Sequence, residues 1–408
     1  MRIFVAVRHA RDPQQFYGGL WSANFYPALR ALGHEVVESQ TDLWPTSRFM
    51  DVAGDFTSQE LEARARTTEA LLGVVEQAHR QKPIDLWLSY FYNAHFDPAG
   101  FDRLRSIGIP SINFYCNSIY QFANVAEVAA KADVSWHAER DARESYLRIG
   151  ARPVWVQMGA DPGVYHPIDA IKQPQACFIG QNYADRAQWM AALIAAGVAV
   201  EIYGPGWGGP DAAGGTAPGD AGGTEYLGRR QHVPGSGGGY SKVILEILAR
   251  DGVIAGTRRL VDRLRHRGAQ RAHHALFAAH ARGPIPFNRQ LEVFGRHAVS
   301  LNFSNVWADG QPGSRLIPHV RLRDFEAPMC RACYLTGHTD EIGEFYDVGR
   351  EIDTYQTTDE LISKTQFYLA NPAAAEKLRD AGYRRALGSH TWTHRFAELF
   401  SKMQLARR

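Results

Sequence analysis

Nowhere does the chain carry eighteen consecutive apolar residues, so no segment is long enough to cross a bilayer as a helix. Cysteine is scarce. Four in 408 residues do not build a disulfide framework, and the CxxC pair Cys330 and Cys333 has no matching second pair, because Cys116 and Cys177 stand alone. That disfavours a zinc site and leaves buried structural thiols as the plainer reading. An excess of one charge is also missing: a formal net charge of +2 gives no global field to draw the chain to nucleic acid or a membrane. No repeat of solenoid length is visible. Met1 runs straight into the strand-like Arg2-Ile3-Phe4-Val5-Ala6-Val7 with no basic, apolar and small-residue leader, so a cytoplasmic location is expected.

What the chain does have is ordinary globular composition, 45% apolar and 22% charged, at a length that exceeds one core. Short apolar strands alternate with helical segments, the pattern of a parallel sheet covered by helices. Strands are expected at Ile3 to Val7, Glu35 to Glu38, Ile84 to Tyr92, Ser111 to Tyr115, Asp133 to Trp136 and Pro153 to Val156. Helices are expected over Ala23 to Leu32, ended by Gly33, and over Ser58 to Gln81. Turn formers Gly159-Ala160-Asp161-Pro162-Gly163 mark a boundary near residues 160–172, after which the alternation restarts with Cys177 to Gly180, a helix from Arg186 and Val198 to Tyr203. A glycine-rich stretch over 204–239 and an arginine-rich helical stretch over 240–282 interrupt it. Strands at Ala298 to Phe303 and Cys333 to Thr336, then helices to the end, resume it. Two Rossmann-like βαβ domains in tandem place a ligand site in the cleft between them, at the carboxyl ends of their strands.

Candidate residues follow from that placement. The loop after the first strand holds His9 and, further on, Gly18 and Gly19. Glycines there let a ligand approach the backbone at the start of a helix, although a plain strand-to-helix turn explains them equally. The spacing is not GxGxxG, so a dinucleotide cofactor is not favoured. His9, and His95 with Asp97 beside it, follow strand ends where a general base would face the cleft, since histidine titrates near neutral pH. Gly180 ends a strand and Arg186 opens the next helix, a combination that suits a diphosphate or, more simply, an exposed helix-start arginine. Gly204, after the next strand, belongs to the cleft rim. In Arg321-Leu322-Arg323-Asp324-Phe325-Glu326-Ala327-Pro328, Glu326 can accept two hydrogen bonds from the vicinal hydroxyls of a ribose and Arg323 can neutralise a phosphate leaving group. Stabilisation of the helix dipole is the structural alternative for Glu326.

Taken together, Gly159 to Pro162, Phe178 to Arg186, Tyr203 to Trp207, Val299 to Phe303, Arg323 to Ala327, Phe345 to Glu351 and His390 to Arg395 resemble the glycosyltransferases grouped with the spore-maturation protein CgeB, in the group-one, GT-B-fold superfamily. The resemblance covers most of residues 150–400 apart from 208–290. It implies an acceptor-binding domain over 1–165, a nucleotide-sugar-binding domain over 172–389 with an insertion at 208–290, and a last helix within 390–408 that crosses back onto the first domain. It further implies that Glu326 holds the donor ribose, that Arg186 and Arg323 neutralise the diphosphate, and that Gly180 lets it approach. Gly18, Gly19 and Asp97 would serve the acceptor or sugar. The substrate would be a nucleotide diphosphosugar, with UDP the expected nucleotide, and neither cofactor nor metal would be needed, cationic side chains stabilising the departing nucleotide.

One departure bears on stereochemistry. Retaining members often have a second glutamate eight positions before the ribose glutamate, and here Pro318 stands there, so retention is not assumed. Arg258, Arg259, Arg263, Arg265, Arg267 and Arg271 read as a solvated face or as a docking site for an anionic acceptor. His390 and His394 fit capping and packing of the last helix better than metal binding, for want of a carboxylate ligand. Two other functions fit the same fold: a nucleotide-sugar epimerase, and a non-catalytic sugar or coat-assembly protein.

Overall fold

The computed structural model describes residues 1–10, 19–208, 257, 261, 275–310 and 313–404. Gly18, the arginines between 258 and 271, and most of the 208–290 insertion therefore lie outside the described residues.

Six parallel strands form the first sheet: β1 (Arg2–Ala6), β2 (Glu35–Glu38), β3 (Leu86–Ser89), β4 (Ser111–Tyr115), β5 (Val134–His137) and β6 (Pro153–Trp155), in the spatial order β2-β1-β3-β4-β5-β6. The near-continuous apolar runs of β1 and β3 are those of strands covered on both faces. Strand alternation sends Ile3, Val5, Leu86 and Leu88 into one core and Phe4, Ala6 and Trp87 into the other. Helix α1 (Leu20–Ala31) covers the first face with Phe25 and Leu29. On the second face lies α2 (Ser58–Gln81), which starts on a capping box: Thr57 Oγ1 accepts from Glu60 N–H, and Glu60 Oε2 accepts from Thr57 N–H at 2.7 Å.

The second sheet is also parallel, with the order β13-β12-β9-β7-β8: β7 (Gln173–Ile179), β8 (Val200–Tyr203), β9 (His297–Asn302), β12 (Tyr334–Gly337) and β13 (Asp353–Tyr355). Helix α3 (Arg186–Ala195) follows β7, and α4 (Arg323–Met329) precedes β12. A small antiparallel pair, β10 (Asn305–Trp307) with β11 (Leu316–Pro318), was not foreseen; it pairs over only three residues a side, too short for a periodicity to register.

Helix α5 (Trp392–Lys402) lies on the first sheet's helix layer. Trp392 and Phe396 meet Phe25 at ring-centroid separations of 5.0 and 5.1 Å, and Arg395 Nε donates to Met158 O at 2.7 Å. One continuous core therefore runs from β1 and β3 through α5 to Phe325 and Tyr346 of the second half. Across the same junction Arg140 forms a bidentate pair with Glu344, at 2.6 Å for Nη1 to Oε1. His390 and His394 do not converge. Arg395 donates to His390 Nδ1 at 2.9 Å while Nε2 faces Phe345 O at 2.7 Å, and His394 Nδ1 lies 2.7 Å from the capping Thr391 hydroxyl.

Candidate active site

A cavity of about 340 Å³ opens between the two sheets, and its two walls differ in chemistry. Leu20, Trp21, Met50, Tyr90, Tyr92 and Met158, with Arg8, come from the first half. Gly180, Arg186, Asn302, His319, Arg321, Arg323 and Glu326 come from the second. The second wall is assembled at the carboxyl ends of β7 and β9 and at the start of α4, as open parallel sheets dictate.

The end of β7 is made by close approach. A Cβ on Gly180 would fall 2.7 Å from Phe178 Cζ and 3.2 Å from Arg186 Nη1. Gly204 holds φ +130°, and a Cβ there would lie 2.4 Å from Gly180 O. Gly204, with its positive φ and backbone contact, has no space for a side chain, and one at Gly180 would displace the Phe178 ring and crowd Arg186, so the two strand ends pack closely beneath the guanidinium.

Arg186 is 7% exposed, yet no carboxylate lies within ion-pair distance of it among the described residues. Its Nη1 donates to Gln181 O at 3.0 Å, its guanidinium lies over Phe178 and Tyr183 at 5.4 and 5.9 Å, and Nε has no partner among the described residues. Burial, helped by the positive charge of Arg321, lowers its pKa to about 9. A buried guanidinium with unspent donors is costly unless an anion joins it. Arg321 repeats the theme, with Nη2 donating to Asn305 O at 3.1 Å and Nε unpartnered among the described residues. Asp324 anchors this segment from behind: it is fully buried and accepts from Arg321 N–H at 2.6 Å, from Tyr334 Oη at 2.8 Å and from Thr336 Oγ1 at 3.0 Å.

Glu326 sits in the first turn of α4, 3% exposed. Tyr165 Oη donates to Oε1 at 2.5 Å, and Arg323 Nη1 pairs with Oε2 at 2.9 Å. Each carboxylate oxygen has two acceptor positions, so both keep one for a further donor such as a hydroxyl. Arg323 also donates to Gln290 Oε1 at 2.8 Å.

Of the expected residues, Gly180, Arg186, Arg323 and Glu326 are brought together in the cavity, with Gly204 packed beneath Gly180. The first-half candidates are placed otherwise. His9 is half-buried outside the cavity lining, its Nε2 2.5 Å from Tyr26 Oη, and burial lowers its pKa. His95 is buried with both ring nitrogens engaged: Nδ1 accepts from Tyr92 N–H at 3.1 Å and Nε2 lies 3.1 Å from Ser47 Oγ. Burial, with Arg8 nearby, pushes its pKa down to about 3, the signature of a neutral structural ring. Asp97 Oδ1 accepts from Ala99 N–H at 3.0 Å at the start of the helix Ala99–Ser106. Gly19 packs against Ala10 at the start of α1. Cys330 and Cys333 are buried free thiols, and burial raises the pKa of each, that of Cys333 to about 12.

Sequence reasoning did not single out Trp21, His319 or a role for Arg321. Arg321 stands two residues before Arg323, and that Arg-x-Arg spacing is the signal the sequence offers. Trp21 looks like any apolar residue of an amphipathic helix, and nothing local marks His319.

Residues 245–401, under half of the chain, match a family model described as glycosyl transferase-like. No curated protein matches the chain in sequence. Among solved structures, sucrose-phosphate synthase from Thermosynechococcus elongatus is 13% identical over the whole of both chains, with a TM-score of 0.55. AviGT4, a glycosyltransferase involved in avilamycin A biosynthesis, is 16% identical over 98% of this chain and 96% of its own, at 0.52. HepE of Anabaena in complex with UDP and glucose is 10% identical over 98% and 99%, at 0.51. At these identities the likeness is one of fold: an α/β protein with parallel sheets in two Rossmann-like domains, matching GT-B glycosyltransferase structures.

Proposed function

We propose that this chain is a glycosyltransferase that moves a sugar from a nucleotide diphosphosugar, with UDP as the preferred nucleotide, to an acceptor hydroxyl or amine. One observation carries the reading: Arg186, Arg321 and Arg323 line a single cavity with Glu326, and Arg186 is buried there without a carboxylate partner among the described residues. A diphosphate supplies the missing negative charge, and a ribose supplies the two hydroxyls that Glu326 has free positions to receive. The glycosyl transferase-like match over 245–401 and the fold support the group-one superfamily, and the motifs from Gly159 to Arg395 narrow it to the CgeB-like group. HepE, similar in fold, has a structure that holds UDP and glucose, which is why UDP is the nucleotide proposed.

On this reading the domain of residues 1–165 presents the acceptor and that of 172–389 the donor, with the helix of 390–408 joining them. The acceptor oxygen or nitrogen attacks the anomeric carbon, the bond from that carbon to the diphosphate oxygen breaks, the nucleoside diphosphate leaves with the electron pair, and the acceptor's proton passes to solvent. The guanidinium groups stabilise the charge that develops on it, without a metal ion. Trp21 and Tyr90, whose rings lie 4.6 Å apart on the first wall, offer the apolar surface on which a sugar face rests.

The test is release of nucleoside diphosphate from a panel of UDP- and GDP-sugars with the purified chain, with and without candidate acceptors. A transferase releases nucleotide, with acceleration by its acceptor. Interconversion of two nucleotide sugars with no release would establish the epimerase reading instead, and nucleotide binding without either reaction the non-catalytic one.

A further inference from the structure

Glu139 and His319 approach each other from opposite halves of the molecule, at the edge of the cavity. Glu139 follows β5 and is 2% exposed. Its carboxyl accepts from Ser118 N–H at Oε2 and draws also on the Ile119 N–H and the Ser118 hydroxyl, while Oε1 is sealed from water with no partner in good hydrogen-bond geometry among the described residues. Facing that oxygen, at 3.5 Å, is Nε2 of His319, a ring that is itself buried and borders the cavity two residues from Arg321. A buried carboxylate oxygen with no donor is expensive unless it is protonated or paired with a cation. Burial pushes the Glu139 carboxyl up to about 8, and burial with the charge of Arg321 pushes the His319 ring down to about 3. In the free protein near neutral pH, the proton therefore sits on the carboxyl and the imidazole is neutral. The other groups around the pair are Arg321, Tyr120 beside the His319 ring, and Cys116, Tyr146 and His137 beside Glu139.

We propose that His319 is a substrate-contacting residue of the donor site and Glu139 its positioning residue, the pair holding one proton that passes to the imidazole when a diphosphate occupies the arginine cluster. The inference rests on the donor site proposed above. Burial, and after it the charge of Arg321, disfavours an imidazolium in the free protein; a diphosphate offsets the Arg321 part and sets a negative charge beside the His319 ring, which lines the cavity where Glu139 does not. The proton then leaves the carboxyl of Glu139 and joins Nε2 of His319. The carboxyl becomes a carboxylate, the ring becomes an imidazolium beside the anion, and the net charge of the pair is unchanged. Above the pH at which Glu139 ionises, the free pair holds no such proton, and anion binding must draw it from water.

Proton linkage distinguishes this from a merely structural contact. Binding of UDP, with GDP as a second probe, is measured by titration calorimetry in buffers of different ionisation enthalpy at pH 7.0 and pH 8.8, for the wild type, Glu139→Gln and His319→Gln. The ionisations of the nucleotide itself are common to all three proteins and cancel in the comparison. The expected result is an uptake in the wild type, relative to the variants, that is near zero at pH 7.0 and approaches one proton per nucleotide at pH 8.8. Affinity should fall in the wild type alone, by up to about tenfold per pH unit above the ionisation of the pair. Wild-type binding with the same proton count at both pH values, or uptake that persists in either variant, would overturn the inference and leave the donor site standing. Failure of the wild type to bind either nucleotide would remove the donor site and the inference together.

Discussion

The two walls of the cavity are built from similar layers, parallel strands under helices, yet they have opposite characters. The first-half wall is aromatic and apolar, with Trp21, Tyr90 and Tyr92 around Arg8, and its own histidines are absorbed into the scaffold. The second-half wall concentrates three guanidinium groups and one carboxylate, and one of those cations is buried without a carboxylate partner among the described residues. The difference teaches where polar groups are satisfied within the fold and where they are left without partners. A wall that only packs satisfies its polar groups internally, as His95 does. On the proposed reading, a wall that receives an anion keeps them unspent, as Arg186 does.

Breaking the cationic wall should have the largest effect. Arg186→Met keeps the volume but removes the charge, and is expected to weaken nucleoside diphosphate binding by about 100-fold or more, as expected for losing a desolvated, charge-assisted contact. The same substitution should raise the melting temperature of the free protein, because a buried charge without a counter-ion is replaced by apolar packing. Calorimetric titration and a melting curve check the two halves of this prediction. If Arg186→Met lowered the melting temperature and left affinity intact, the arginine would be structural.

Glu326→Gln is expected to act next most strongly, weakening nucleotide binding roughly 10- to 100-fold through the loss of a charged hydrogen-bond acceptor. The loss should be smaller for a ribose-free probe such as pyrophosphate, which sharpens the assignment of Glu326 to the sugar rather than to the phosphates. On the other wall, Trp21→Ala should raise the acceptor KM about tenfold and leave nucleotide affinity unchanged, as expected for one aromatic contact. Equal losses for donor and acceptor would dissolve the contrast between the walls.

How far the sequence carried this picture depends on the range over which each signal acts. The strand Ile3 to Val7 and the helical stretch Ser58 to Gln81 are local patterns, and β1 and α2 follow them closely. Gly180, Arg186, Arg323 and Glu326 were legible as neighbours in one cavity because they sit at strand ends and helix starts, where this architecture opens a cleft. His9 and His95 satisfied the same rule of position, but whether a side chain at a strand end turns outward depends on neighbours such as Tyr26 and Ser47, which are distant in sequence. The approach of Glu139 to His319 spans the two halves and leaves no local trace at all.

The smallest effect expected is on acid stability. His95 and His390 are held neutral by burial, each with its pKa pushed down to about 3 from an ordinary 6.5. Their contribution is complete above about pH 6.5 and is lost as pH falls towards 3, because the unfolded chain takes up protons that the folded chain refuses. The melting temperature should therefore decline below pH 6.5. His95→Asn, which keeps an acceptor for Tyr92 N–H, should show a shallower decline in the same pH scan.

The most direct test of the central claim is a thermal-shift comparison of the wild type and Glu326→Ala against UDP, GDP, CDP and TDP at millimolar concentration. A ligand that binds only the folded state raises the melting temperature by mass action. The account predicts a rise of several degrees with one nucleotide, UDP, that vanishes in Glu326→Ala. No rise with any nucleotide, or the same rise in both proteins, would contradict it.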